Sequence, residues 1–493
     1  MSIFTEYSEQ FRASYFIVGV RLAVILATAW ILGPVISSRL KISDDKRKIR
    51  AFVIFASVVA WIVFFGVGML RHLSFHSKAW DLAIFDQVIW NLSNGHGWEC
   101  SVRGVHDLRG DHFEPILLIF VPLYKLFPNV AWLLGIQAAA LIGAGLLIRS
   151  AYAKQLNETV SFFLLLAFLF YPPLHWLVLA DFHPIALAAF FIVLAWLGAR
   201  REDKLVWLIG LVGLALCGEE GLIVGGWWGL CEFFSSRIDY DKNPPVRSRS
   251  PMRFVGLIVA FLFWIFFVYL IAVYIPGHRA EGEGYFYTHR YSYLGRTVGD
   301  IAVNLFMNPR LWLPHLFNGR SLALLALFLV PLALLPLRKP GILILLIPTA
   351  LYTLLSESPE QKSIFHQYVS MWIPFLFIAT AEALASYGQS GGGRISLKAA
   401  STLLVASILA LLSFSPIFGL SMHPELLTPE SWAGEAKGVI RSIGPDTAIS
   451  APSALCPHLS HRRVLLLQPK TGWPGAGQVV VLPEFPPPQN QPD

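Results

Sequence analysis

The chain has 493 residues, of which 55% are hydrophobic and only 14% charged, with a mean hydropathy of +0.58. That composition excludes an ordinary water-soluble domain, and apolar runs recur at the length that crosses a hydrocarbon core of roughly 30 Å. The net charge of +7 does not signal nucleic acid, because the basic residues sit in short loops between apolar runs rather than in a patch interleaved with aromatics.

In chain order, the pattern predicts spans near residues 15–37, 51–70, 130–148, 158–178, 184–199, 204–218, 221–236, 253–275, 319–337, 340–355, 367–388 and 399–419. The expected fold is an all-α polytopic membrane protein of about 11–12 transmembrane helices. Residues 204–236 read either as two short helices or as one long kinked helix. The apolar stretch 114–128 is short and ends at Pro128, so an interfacial or re-entrant segment is expected. The first span lacks a basic start and a small-residue cleavage site and reads as a retained helix.

The pattern changes near residue 424. Helical spacing over 429–443 and short strands at 447–450, 464–467 and 478–482 predict a small C-terminal α/β domain over 421–485, followed by a disordered tail, 486–493. The remaining divisions are a first helix with a basic loop, 1–49, and a transmembrane domain, 50–420, with long loops at 71–113 and 276–318.

Segment 38–50 carries Arg39, Lys41, Lys46, Arg47, Lys48 and Arg50, which the positive-inside rule assigns to the cytoplasm. Alternation then puts the loops holding Arg149, Arg200, Arg237, Arg338 and Arg394 on the same side. The opposite, non-cytoplasmic side receives both long loops, Asp181-Phe182-His183-Pro184, Gly218-Glu219-Glu220, residues 356–366 and the C-terminal domain. Most motifs capable of chemistry therefore fall on one face. Cys217 and Cys231 read as small core residues. Cys100 and Cys456 both fall outside the membrane, where they are candidates for a disulfide, and no metal-binding spacing accompanies them.

Leu82, Phe85, Ile89 and Leu92 repeat at spacings of three and four, and Gly95 ends the run. This predicts an amphipathic helix over 80–94 lying on the membrane surface. Asp81 at its start is either a functional acid or an N-cap. Asp86, about 140° further round, cannot cap; its competing account is a solvated face. Asp111 and His112, with Glu114, form a candidate divalent-metal site, or else cap the helix that opens at Pro115. Glu219 and Glu220 are costly near hydrocarbon and are expected to be functional. Arg279, His289 and Arg290 lie among tyrosines in one loop, a composition suited to a phosphate- or sugar-bearing ligand or to a solvated loop. His183 and His366 open helices at the same level.

Together, Asp-Leu-x-Ile-Phe-Asp-Gln (81–87), Gly-Asp-His-Phe-x-Pro (110–115), Asp-Phe-His-Pro (181–184), Glu-Glu (219–220) and Pro-His-Leu-Ser-x-Arg (457–462) resemble a domain-of-unknown-function family of predicted prokaryotic membrane proteins. A more distant resemblance, carried by Asp81, Phe85, Gly95 and Pro115-Ile116-Leu117, is to the GT-C glycosyltransferases. It implies a GT-C-like fold in the prokaryotic inner membrane, a polyprenyl-phosphate-linked sugar as donor, membrane lipid as a partner, and Asp81 as the counterpart of the catalytic acid. The second acid of that family's pair is Leu82 here, so Asp86 is the alternative base. Under this resemblance His183, Glu219, Glu220, Arg279, His289, Arg290 and His366 bind substrate or phosphate. Rival readings are a lipid or polysaccharide-precursor transporter, disfavoured by the scarcity of mid-span ionisable residues, and a non-catalytic membrane protein.

Overall fold

A computed structural model describes residues 15–39, 45–102, 107–239, 246–249, 252–279, 284–391, 393–444 and 447–467. Seven helices are long and apolar enough to cross a membrane: Tyr15–Arg39, Lys46–Leu73, Ala131–Ala151, Pro184–Arg201, Arg253–His278, Gln367–Gly388 and Gly393–Ser421. Two bent pairs raise the number among the described residues to nine. Glu158–Leu169 with Pro172–Leu179 bends by 44°, and Pro309–Leu316 with Gly319–Leu332 by 53°. The first bend falls at a proline, which cannot donate to the preceding turn. Gln367–Gly388 is the most enclosed span, with 89% of its apolar window buried, so it forms the centre of the bundle.

The count is below the 11–12 expected, for a local reason. The stretch 204–236 forms two helices, Lys204–Leu216 and Glu219–Phe234. Thirteen residues of helix rise only ~20 Å, short of a full crossing. The break is at Gly218, whose φ of 157° and ψ of 156° belong to glycine, and a Cβ there would meet Glu220 Oε2 at 2.8 Å. Pro115–Leu126 and Pro340–Leu354 are likewise shorter apolar helices.

The position of Glu219–Phe234 depends on a second glycine contact, with Arg253–Tyr269. A Cβ on Gly229 would lie 2.4 Å from the carbonyl oxygen of Gly256. Backbone cannot yield as a side chain can. Gly229→Leu is therefore expected to cost roughly 1–3 kcal/mol, read as a lowered melting temperature in detergent.

The predicted surface helix over 80–94 exists but is not on the surface. A wide π-type turn, Ala79–Ala83, leads into Ile84–Ser93, which ends at Asn94 and Gly95. Residues 82–89 are all buried, polar Asp86 and Gln87 included. The polar side is covered by two other segments. Gln87 Nε2 donates to Ser101 Oγ (2.8 Å) and to the carbonyl oxygen of Arg462 (3.0 Å), and its Oε1 accepts from the Ser101 amide (3.0 Å).

The C-terminal residues contain the helix Ala433–Ser442, parallel strands Ile449–Ala451 and Leu465–Leu467, and the short helix Cys456–Leu459. The predicted strand at 478–482 and the tail 486–493 lie outside the described residues. Cys100 and Cys456 are both buried and both free thiols, so they form no disulfide.

Candidate functional site

A cavity of about 260 Å³ opens among the ends of these helices. Ligand pockets run roughly 300–1,000 Å³, so this one suits a single compact group. It is lined by Asp81, Asp111, Glu114 and Glu220, by His112, His183 and Arg290, and by the aromatics Trp80, Phe85, Phe286, Tyr287, Tyr352 and Tyr368. These residues come from seven separate stretches of sequence.

The first wall carries Asp81. It sits inside the π-type turn and caps nothing; instead its Oδ1 accepts from His183 Nε2 at 3.1 Å. Burial opposes the carboxylate charge, but the His183 contact outweighs it, so the Asp81 pKa falls below the ordinary value. His183 is itself fixed: its amide donates to Gln137 Oε1 (3.0 Å), and Gln137 Nε2 donates to the carbonyl oxygen of Asp181 (3.0 Å). Asp181 adopts a left-handed φ of 62°, a conformation that aspartate tolerates better than most residues. Its carboxylate is held by a buried ion pair with Arg71 and by Ser77 Oγ at 2.9 Å.

The second wall is the run from Asp111 to Glu114. Asp111 does not cap the helix that opens at Pro115, where Glu114 holds the cap position; its Oδ1 accepts from Tyr287 OH at 3.1 Å. His112 Nδ1 donates to Glu219 Oε1 at 2.9 Å, and its ring stacks on Tyr287 at 4.6 Å and 21°. Burial disfavours the imidazolium, yet the oxygens of Tyr287 and Glu219 hold the His112 pKa well above the usual value. Glu219 also accepts from the Phe113 amide (3.1 Å) and Tyr285 OH (2.7 Å), while Glu220 accepts from Tyr352 OH (3.0 Å). The two costly carboxylates therefore have partners. His112, Glu219 and Glu220 each offer a ligand atom within 4.8 Å of the others. The metal candidate thus shifts from Asp111 with His112 to His112 with the two glutamates.

The third wall is cationic and aromatic. Arg290 lies over the rings of Tyr287 (4.5 Å) and Tyr368 (5.4 Å), and donates to Gln361 Oε1 at 3.1 Å. Its loop neighbours behave differently. His289 is exposed and bonds back to the carbonyl oxygen of Phe286, and Arg279 donates to that of Gly110 at 3.0 Å; neither lines the cavity. His366 also stays out of the lining. Burial pulls its pKa down to about 4 against the pull of Asp81.

Asp86 is not part of the cavity. Its carboxylate accepts from Tyr124 OH (2.6 Å), from His461 Nε2 (3.2 Å) and from Ser460 Oγ. It joins the 84–93 helix to the C-terminal segment. The site residues that sequence reasoning missed are Arg71, Gln137, Tyr352 and Gln361. A lone Gln inside an apolar helix was the one available signal, since a buried amide must be hydrogen-bonded.

Among solved structures, the crystal structure of ArnT from Cupriavidus metallidurans bound to undecaprenyl phosphate is similar at a TM-score of 0.45 and 13% identity, over 84% of this chain and 85% of that one. No curated protein matches the chain. A family model described as predicted membrane protein (DUF2079) matches residues 71–486, a span that holds every wall of the cavity, and the chain belongs to that family.

Proposed function

We propose that this membrane protein is an inverting glycosyltransferase that moves a sugar from a polyprenyl-phosphate carrier to an acceptor hydroxyl on the non-cytoplasmic face. The observation that carries this reading is the composition of the cavity described above. An ionised Asp81 faces Arg290 and an aromatic lining across a space of about 260 Å³. Sugars stack on aromatic faces and hydrogen-bond to carboxylates, and a leaving phosphate needs a fixed cation.

In this mechanism the acceptor hydroxyl approaches Asp81, whose Oδ1 is occupied by His183 and whose other oxygen takes the proton as the acceptor attacks the anomeric carbon. The bond from that carbon to the carrier phosphate breaks, and Arg290 stabilises the phosphate charge that develops. One imidazole and two carboxylates suit a divalent cation such as Mn²⁺ or Zn²⁺, so His112, Glu219 and Glu220 would hold one, which would add positive charge beside the phosphate.

Arg290→Met is expected to lower transfer by about 10²–10³, the usual cost of removing one fixed charge-stabilising donor. Arg290→Lys should restore only part of it, because a point charge cannot reproduce the planar stacking between two tyrosines. The measurement is transfer from a short-chain polyprenyl-phosphate sugar by purified protein in lipid nanodiscs, with melting temperature as the folding control. Undiminished transfer by a folded Arg290→Met protein would remove the phosphate role.

A further inference from the structure

Outside the cavity, two cations lie together without an acid. Lys362 is only 7% exposed, and its ammonium makes one long hydrogen bond, 3.5 Å, to the carbonyl oxygen of His315. The same carbonyl accepts from Ser321 Oγ at 2.7 Å. Ser321 adjoins Arg320, whose Nε is 3.3 Å from Tyr15 OH. Neither Lys362 nor Arg320 forms an ion pair among the described residues. The carboxylate that acts on Lys362 from a distance is Glu357, and it accepts from Ser292 Oγ at 2.7 Å. Burial and the nearby guanidinium pull the ammonium pKa down to about 8.

A buried ammonium with so few partners is costly unless something negative joins it. Ammonium and guanidinium protons match phosphate oxygens. The helix Gly319–Leu329 begins here, capped by Asn318, and its positive end adds to the attraction. The surroundings define the rest of the ligand. Phe16 (83% exposed), Phe317 (68%) and Leu322 (53%) flank the cations at the starts of two apolar helices that pack together. A free anion has no use for such a rim, whereas acyl chains do.

We infer that Lys362, Arg320 and the amino end of the Gly319–Leu329 helix form a binding site for the phosphate of an anionic membrane lipid. None of these residues lines the cavity, so the site does not depend on the glycosyltransferase reading. The lipid phosphate joins two cations, Lys362 and Arg320, from two separate stretches of chain.

The test is binding of fluorescent phosphatidylglycerol and phosphatidylcholine to the purified full chain in detergent micelles. The wild type should prefer phosphatidylglycerol by about tenfold or more, the scale of one or two charge-assisted contacts. Lys362→Met with Arg320→Gln should erase that preference, while Arg310→Gln, on an exposed residue of the same region, should keep it. If the double variant fails to fold, Arg320→Gln alone, on a partly exposed side chain, must still reduce the preference several-fold. Equal affinity for the two lipids, or a preference unchanged in the folded variants, overturns the site. Full displacement of phosphatidylglycerol by millimolar inorganic phosphate would reassign it to a free anion and overturn the lipid.

Discussion

Asp81→Asn is expected to reduce transfer by about 10²–10⁴, the range associated with loss of a positioned general base, with little change in melting temperature. The substitution is narrow by design. Asn keeps an oxygen where His183 Nε2 donates, at 3.1 Å, so the hydrogen bond that sets the side chain survives. It removes the negative charge and the proton-accepting power. The side chain is 34% exposed toward the cavity, so no buried partner is left stranded. The loss should appear in kcat rather than KM, because a base acts in the transition state and not in binding. The pH profile gives a second check. The Asp81 carboxylate sits below the ordinary pKa of about 3.9, so it is ionised throughout the physiological range. An acidic limb near neutrality therefore belongs to another group, and it should persist in the residual activity of Asp81→Asn. Full transfer by this variant would eliminate Asp81 as the base.

Asp81 and Asp86 also show what the sequence could and could not reveal. Apolar runs disclosed the helical membrane fold because hydrophobic length is a local property. The motifs before each run disclosed which residues meet, since polar groups at the ends of neighbouring spans share one level of the membrane. Asp81, His183, Asp111 and Glu220 all reach the cavity in this way. Assigning a role to each acid was beyond local pattern. Asp86 looked the less dismissible of the pair because it could not be a cap, yet its partners Ser460 and His461 lie more than 370 residues away. Likewise His112 meets Glu219 across 107 residues. Arg71 was hidden differently: at the end of a long apolar helix it reads as an ordinary flanking charge, and only the fold reveals its ion pair with Asp181. The shortfall in spans has its own cause. A break between 218 and 221 is among the readings the sequence allows, but the helices on either side are only 13 and 16 residues long, short of a full crossing.

Asp86→Ala should loosen the C-terminal segment rather than damage chemistry. The carboxylate is 1% exposed and accepts from Tyr124, Ser460 and His461. Its removal leaves buried donors unmatched and is expected to cost about 3 kcal/mol, on the scale of a hydrogen-bonded charge taken from a buried site. That energy bears on local opening, because the bond it breaks joins the 84–93 helix to residues 460–461. Cys456 is a built-in reporter: a free, fully buried thiol four residues before Ser460. Its maleimide labelling should accelerate by about 10²-fold, the kinetic equivalent of that energy when opening is fast, in a Cys100→Ser background that removes the other thiol of this region. Acid should have a related effect, and its sign depends on two histidines. Burial disfavours the His461 cation, but Asp86 raises its pKa overall, so this contact stabilises most below about 6.5 and is lost as pH rises through the folded value. His458 works in the opposite sense. Burial, with His72 stacked at 4.2 Å, pulls it down to about 3, so its packing is stable above about 6.5 and is lost as pH falls toward 3. His461 is 36% exposed and screened by solvent, whereas His458 is enclosed against Phe75 at 4.0 Å. The His458 effect should therefore dominate, and labelling of Cys456, divided by the rate of a free thiol at the same pH to remove the falling thiolate fraction, should speed up between pH 6.5 and 5. His458→Phe should flatten that dependence, because a ring that cannot take a proton fills the same aromatic slot. A rate that stays flat with pH in the wild type, or an acid response that survives His458→Phe, would show that this histidine is not what ties the segment to the proton concentration.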